Sequence, residues 1–184
     1  MDELPPIVTL TLNPSVDVTY DVDTLVEDRK VHAVAYRYDP GGNGINVARA
    51  LARLRVPAHA CFVAAGEVGQ LLRRLLRRQV ENAHALWVDG ETRINVTLEQ
   101  QLPRAQYEVI GVGPRLDAAA LQRMEKQVER LAGRGYAVLT GPCRRGWRPT
   151  PTRGWQQHWL RAACAWCSTC RATRCAGSYR CGRT

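Results

Sequence analysis

Acidic side chains are missing from the last third of this chain: after Glu129 there is no Asp or Glu. Residues 142–184 also lack Lys, Val, Ile, Met, Phe and Asn, and Leu160 is their sole leucine. A stretch so poor in aliphatic residues has little with which to build a core. Residues 1–141 lack something else, cysteine, with Cys61 alone among them. That absence excludes a disulfide-built scaffold for this part, and a reducing, cytoplasmic setting is expected. No apolar run approaches the ~20 residues a membrane span needs, so no membrane partner is expected. Nor is there an apolar segment behind a charged start, as a secretory signal would require.

What remains is divided sharply. The 184 residues carry 26 Lys+Arg and 17 Asp+Glu, but residues 1–141 balance 17 against 17, and the whole net charge of +9 falls on nine arginines after Gly141. Six of the seven cysteines and four of the five tryptophans lie in the same segment. Two regimes are joined near Gly141. The expected organisation is a folded unit over 1–141 and an aberrant, poorly ordered Arg/Cys/Trp-rich tail over 142–184.

Within the first regime, strand and helix patterns alternate. Ile7 to Leu12 reads as a strand ending at Asn13-Pro14-Ser15, and Val31 to Tyr38 as a second strand ending at Asp39-Pro40-Gly41-Gly42-Asn43-Gly44. A helix opens at Asn43 or Gly44, with Asn46 in its first turn and Ala48, Leu51 and Ala52 on one face. Ala58–Ala64 reads as a buried strand and Val68–Arg78 as a helix whose Arg73, Arg74, Arg77 and Arg78 form a solvated face, so nucleic acid is not expected as a partner. Ala83–Val88 and Thr92–Leu98 read as strands around a hairpin-type turn at Asp89-Gly90, with Gln106–Ile110 pairing to the second. Asp117 caps a further helix, and Tyr136–Thr140 reads as a core strand. The fold class expected is α/β, a mainly parallel sheet covered by helices.

In such sheets ligands gather beyond the carboxyl ends of strands, where Asn13, Asp17, the Gly41–Gly44 loop and Asn46 are expected. Glycines let backbone N–H groups approach a ligand, and a helix start directs its positive end there. An anionic or hydroxyl-rich small molecule suits that chemistry. Singly these features are also ordinary turn chemistry, and Gly-Gly-Asn-Gly matches neither common phosphate-loop pattern.

Together, Thr11-Leu12-Asn13-Pro14-Ser15-Val16-Asp17, Pro40-Gly41-Gly42-Asn43-Gly44-Ile45-Asn46-Val47-Ala48-Arg49-Ala50-Leu51 and Thr92-Arg93-Ile94-Asn95-Val96 are more specific. In order and spacing this set resembles the ribokinase-like sugar kinases, and within them the phosphofructokinase B branch. The resemblance covers 1–141. It implies a Rossmann-like three-layer α/β/α core with a small β-lid built from Thr19–Val26, Val31–Tyr38 and the Arg93 and Tyr107 strands, the lid also pairing two subunits. It implies transfer of a phosphoryl group from ATP, with Mg²⁺, to a fructose-phosphate-like acceptor. Asp17 is implied to accept hydrogen bonds from sugar hydroxyls, Gly41, Gly42, Asn43 and Asn46 to form the sugar-holding loop and helix start, and Arg93 to pair with the sugar's phosphate. Asn43 stands where relatives carry Lys or Gly, which leaves fructose 6-phosphate, fructose 1-phosphate and tagatose 6-phosphate open.

The ATP-binding half that the resemblance implies, with its catalytic Asp and its Mg²⁺-organising motif, has no counterpart in this chain. The fold is therefore expected to be truncated, with no catalytic residue and no metal ligand, and without turnover. Strands 7–12, 59–64 and 136–140 are expected to lack neighbours, which makes the chain marginally stable. A shifted reading frame is the expected origin of the break. Gly141-Pro142-Cys143-Arg144-Arg145-Gly146-Trp147 can be written so that a neighbouring frame reads Ser-Leu-Pro-Pro-Gly-Val, the family's next segment. The tail is thus expected to be the product of a one-nucleotide deletion. Two other readings stand beside this. One is a non-catalytic sugar-phosphate-binding or dimerising fragment. The other is a metal-binding tail using Cys164, Cys167, Cys170, Cys175 and Cys181.

Overall fold

β-Branched alternation carries the chain through β1 (Ile7–Thr11), and Pro14, unable to donate to a ladder, marks the break before β2 (Ser15–Val22). The computed structural model describes residues 5–140; Gly141 and the tail expected at 142–184 lie outside the described residues. After β2 come β3 (Ala35–Gly41), α1 (Asn43–Arg53), β4 (Ala58–Ala64), α2 (Gly66–Arg77), β5 (Asn82–Trp87), β6 (Arg93–Gln100), β7 (Ala105–Val109), α3 (Ala118–Ala132) and β8 (Tyr136–Thr140). Two sheets result. A parallel core sheet runs β5-β4-β1-β8, and a mixed lid sheet runs β3-β2-β6-β7.

Alternation along β4 decides what each face of the core sheet buries. Ala60, Phe62 and Ala64 pack with Ile45 and Ala48 of α1 and Leu72 and Leu76 of α2. Cys61 and Val63 point the other way, with Val8, Leu10 and Ala137, against Met124, Val128 and Ala132 of α3. This is the expected three-layer α/β/α core with a lid. Val16 and Val18 of β2 join the first cluster, so one face of the lid strand is buried against the α1 and α2 layer. Asp117 caps α3 as expected, its Oδ1 accepting from Ala120 N at 2.6 Å. In the arginine-rich helix, Arg74, Arg77 and Arg78 are exposed, and Arg73 lies over the Trp87 ring at 5.6 Å.

Four expectations are corrected. The strand expected at Val31–Tyr38 begins only at Ala35, because Ala35 pairs with Asp21 near the end of β2, and it runs on to Gly41. Pro40 is accommodated within it because β3 is an edge strand. The Asp89-Gly90 turn is no hairpin: β5 and β6 belong to different sheets, and Gly90, at φ 104°, turns the chain from core to lid. Asp17 does not end the first strand but lies inside β2. Strands 7–12 and 59–64 do not lack neighbours, since β1 lies between β4 and β8 and β4 between β5 and β1; of the three strands named, only 136–140 lies at the edge of the sheet formed by the described residues.

Where α1 begins is set by Thr11. Its Oγ1 accepts the Ile45 N–H at 3.0 Å in a buried position, and a Cβ at Gly44 would come within 2.6 Å of that oxygen and 2.7 Å of Leu10 O. Thr11→Val keeps the shape and leaves the Ile45 N–H unpaired, so a loss of about 1–3 kcal/mol in urea unfolding is expected.

Beside α3, His59 Nδ1 and His84 Nε2 lie 3.0 Å apart. Burial first, then His59 and Arg130, hold the His84 pKa below its ordinary value. The folded chain thus binds fewer protons than the unfolded one in this range. The stabilisation is full above about pH 6.5 and is lost as the pH falls through the lowered value. The urea midpoint is expected to drop as the pH falls below about 6.5, and to drop less in His84→Gln.

Candidate functional site

The chain passes between core and lid four times: at 12–14 from β1 to β2, at Gly42 from β3 to α1, at 88–92 from β5 to β6, and at 110–117 from β7 to α3. The residues singled out from the sequence lie at or beside these passages. Strand register fixes their order. Ser15 is flanked by Gly41 on β3 and Arg93 on β6, and Asp17 by Asp39 and Asn95. Because strand residues two apart share a face, Ser15, Asp17, Arg93 and Asn95 form a polar block opposite the buried Val16 and Val18.

Hydrogen bonds bind this block tightly. Ser15 Oγ donates to Asp17 Oδ1 at 2.6 Å; Asn95 Nδ2 donates to the same Oδ1 at 2.8 Å and to Ser15 Oγ at 3.0 Å. The Gly111 N–H donates to Asn95 Oδ1 at 3.2 Å. Asp17 Oδ2 lies beside Gly41, where an added Cβ would collide with it and with Ser15 Oγ. Gly41 is therefore a glycine for space. Gly42 is one for conformation, with φ 124°.

Gly42 and Asn43 lead into α1, whose first turn has no side-chain cap. Asn43 and Asn46 are both exposed there. Arg49 holds the loop from behind. Its Nη1 donates to Pro40 O and to Asn46 Oδ1, each at 3.1 Å, its Nη2 to Asp39 Oδ1 at 3.4 Å, and its Nε to Gln79 Oε1 at 2.6 Å. With Oδ1 engaged, Asn46 presents its NH₂ as the free group. A shallow cavity of about 450 Å³ behind the loop is lined by Asp39, Arg49, Ala52, Arg53 and Gln79; Arg49 is spent on those bonds, and none of the candidate ligand residues from the sequence lines it.

Among the described residues three buried side-chain polar atoms lack a hydrogen-bond partner, Thr9 Oγ1 in the core sheet and two at the site. Arg93 Nε is buried without a hydrogen bond, and so is Asn13 Oδ1, against which a Cβ at Gly113 would collide. The arrangement thus offers a carboxylate with one oxygen saturated, an arginine on the neighbouring strand of the same face and a helix start that follows from β3. Those groups can accept from a hydroxyl and pair with an anion. A nucleotide and Mg²⁺ are a different matter. Among the described residues no group of three or more His, Cys, Asp and Glu side chains could hold a metal ion, so these residues do not fit it. No helix among them is long and apolar enough to cross a membrane.

Of the residues singled out from the sequence, the strand ladder brings Asp17, Gly41 and Arg93 together around Ser15, while Gly42, Asn43 and Asn46 follow on the adjoining loop and helix. Sequence reasoning missed Ser15, Asn95 and Arg49 as working parts. The signal for the first two was present, since each lies two residues from a chosen one on the same strand face.

Residues 10–154 match the pfkB family carbohydrate kinases. The ATP-dependent 6-phosphofructokinase isozyme 2 of Mycobacterium tuberculosis is 36% identical over 138 residues, 74% of this chain and 41% of that protein. That of Escherichia coli K12 is 34% identical over 137 residues, 73% of this chain and 44% of that one. The chain spans less than half the length of these curated relatives. Among solved structures, phosphofructokinase-2 from Escherichia coli in complex with fructose-6-phosphate superimposes with a TM-score of 0.68 at 32% identity, covering 79% of this chain and 48% of that one. A possible 1-phosphofructokinase from Thermotoga maritima gives 0.68 at 24% identity, covering 78% and 47%, a likeness of fold. With the family match over most of its length and a three-layer core and lid of the same shape, this chain belongs to the pfkB family of carbohydrate kinases.

Proposed function

We propose that the polar block between lid and core binds a fructose-phosphate-like sugar phosphate, the acceptor half of an ATP-dependent phosphoryl transfer. The observation that carries this is Asp17: its Oδ1 is saturated and its Oδ2 lies beside Gly41, one strand from Arg93, whose buried Nε has no partner. Asp17 Oδ2 accepts from sugar hydroxyls, the Asn46 NH₂ donates to a sugar oxygen, and Arg93 pairs with the phosphate through charge-assisted bonds. Gly41, Gly42 and Asn43 let the backbone approach the ligand. The solved relative from Escherichia coli holds fructose-6-phosphate, which makes that sugar the first ligand to try. ATP and Mg²⁺ belong to the half of the family's fold that the described residues do not supply, so the described residues hold the acceptor side of the reaction and no turnover is expected from them alone. The reading of 142–184 as the product of a shifted frame rests on its composition, and resequencing the coding DNA from Thr140 onward checks it.

A second reading, a dimer through the lid, rests on the opposite lid face. Tyr36, Tyr38, Ile94, Tyr107 and Val109 are all exposed there. Light scattering after gel filtration is expected to show a dimer that Tyr107→Asp converts to monomer.

Isothermal titration of the full chain tests the first reading. Fructose 6-phosphate is expected to bind, and Arg93→Ala to weaken binding about tenfold or more, a charged hydrogen bond being worth about 1.5–3 kcal/mol. A coupled ADP-release assay is expected to show no turnover. Absence of binding in the wild type overturns the binding reading, and turnover overturns the inactivity.

A further inference from the structure

We infer that Asn95 is a positioning residue for Asp17, fixing which carboxylate oxygen meets the ligand and tying it to the lid-to-core passage. The inference rests on the sugar-phosphate reading above.

Every hydrogen-bonding group that Asn95 uses is accounted for. Its two N–H bonds go to Asp17 Oδ1 at 2.8 Å and Ser15 Oγ at 3.0 Å, and its oxygen receives the Gly111 N–H at 3.2 Å. The amide has one workable orientation: turned over, its NH₂ would face the Gly111 N–H and its oxygen would face a carboxylate. Ser15 Oγ, receiving from Asn95, sends its own hydrogen to Asp17 Oδ1 at 2.6 Å. Two donors therefore converge on Oδ1 and hold the carboxylate in one rotamer. Among the described residues no hydrogen bond reaches Oδ2, the oxygen on the Gly41 side. The ligand is offered a single acceptor in a single direction, which lowers the ordering required on binding.

Gly111 gives the arrangement its reach. It lies in the 110–117 passage from β7 to α3, and a Cβ there would collide with Ile94 O, so the backbone sits hard against β6. A displacement of that passage stretches the Gly111–Asn95 bond, and through the same amide it loosens Asp17. The β2–β6 ladder is made by backbone groups and survives a change of side chain at 95. A positioning role thus separates from a structural one.

Two variants of the full chain test it. Asn95→Asp keeps an acceptor for the Gly111 N–H but removes both donors and places a second carboxylate against Oδ1; Asn95→Ala removes all three bonds. The readouts are fructose 6-phosphate affinity by titration, the Asp17 χ1 couplings by NMR, and hydrogen exchange at Gly111. Both variants are expected to lose about tenfold or more in affinity and to show Asp17 averaging between rotamers, while Gly111 stays protected in Asn95→Asp and not in Asn95→Ala. Unchanged Asp17 couplings in whichever variant folds overturn the inference. If the wild type binds no fructose 6-phosphate, the sugar-phosphate reading fails, and the couplings alone decide Asn95: one rotamer in the wild type and averaging in the variant uphold it.

Discussion

The close approach of the Gly41 backbone to the Asp17 carboxylate and the Ser15 hydroxyl governs the rest of this structure. No side chain fits between β3 and β2 at that level. The approach lets β3 pair with β2 along its whole length and still turn at Gly42 into α1. It also places the start of that helix within one residue of the strand that ends beside the carboxylate. Thr11 anchors the same helix start to β1 in the core sheet through the Ile45 N–H. Lid and core thus meet around one carboxylate, and the polar groups of the site sit on the strands and helix start that flank the passages between them.

The lid sheet is two-faced for the same reason. Alternation along β2 puts Ser15 and Asp17 on one side and Val16 and Val18 on the other. The apolar side is buried near the core and continues past it into exposed Tyr36, Tyr38, Tyr107 and Val109. A one-residue slip in β2 would bury the carboxylate and expose the valines, so the packing of Val16 and Val18 against the first core cluster fixes the orientation of Asp17. Core packing and ligand chemistry are set by one register.

Local patterns in the sequence carried much of this fold. Ala58–Ala64, Tyr136–Thr140 and the Asp117 cap were legible because alternation and capping depend on neighbours within a few residues. Sheet membership was not. Asp89-Gly90 has the composition of a hairpin turn, and only the assignment of β5 and β6 to different sheets shows that it is a passage. Val31–Ala33 alternates like a strand but lies outside the β2–β3 ladder, and Val34 makes a single backbone bond there, its N–H donating to Asp21 O at 2.8 Å. The same distinction separates the legible and hidden parts of the site. Asp17 and the glycines belong to contiguous motifs. The bonds from Asn95 to Ser15 and Asp17 span 80 and 78 residues of sequence and follow from the β2–β6 register alone. Arg49 reads as one more polar residue on a helix until Pro40 and Gln79 are seen around it.

The proposed function puts a bound sugar phosphate at the meeting of lid and core. A titration of isotope-labelled full chain with fructose 6-phosphate, followed by backbone amide NMR, tests it most directly. Shifts are expected to concentrate at Gly41, Gly42, Asn43, Asn46, Arg93, Asn95 and Gly111, while α3 amides such as Met124 and Val128 stay in place. Shifts scattered over α3, or none at ligand concentrations that saturate the family's enzymes, would contradict it.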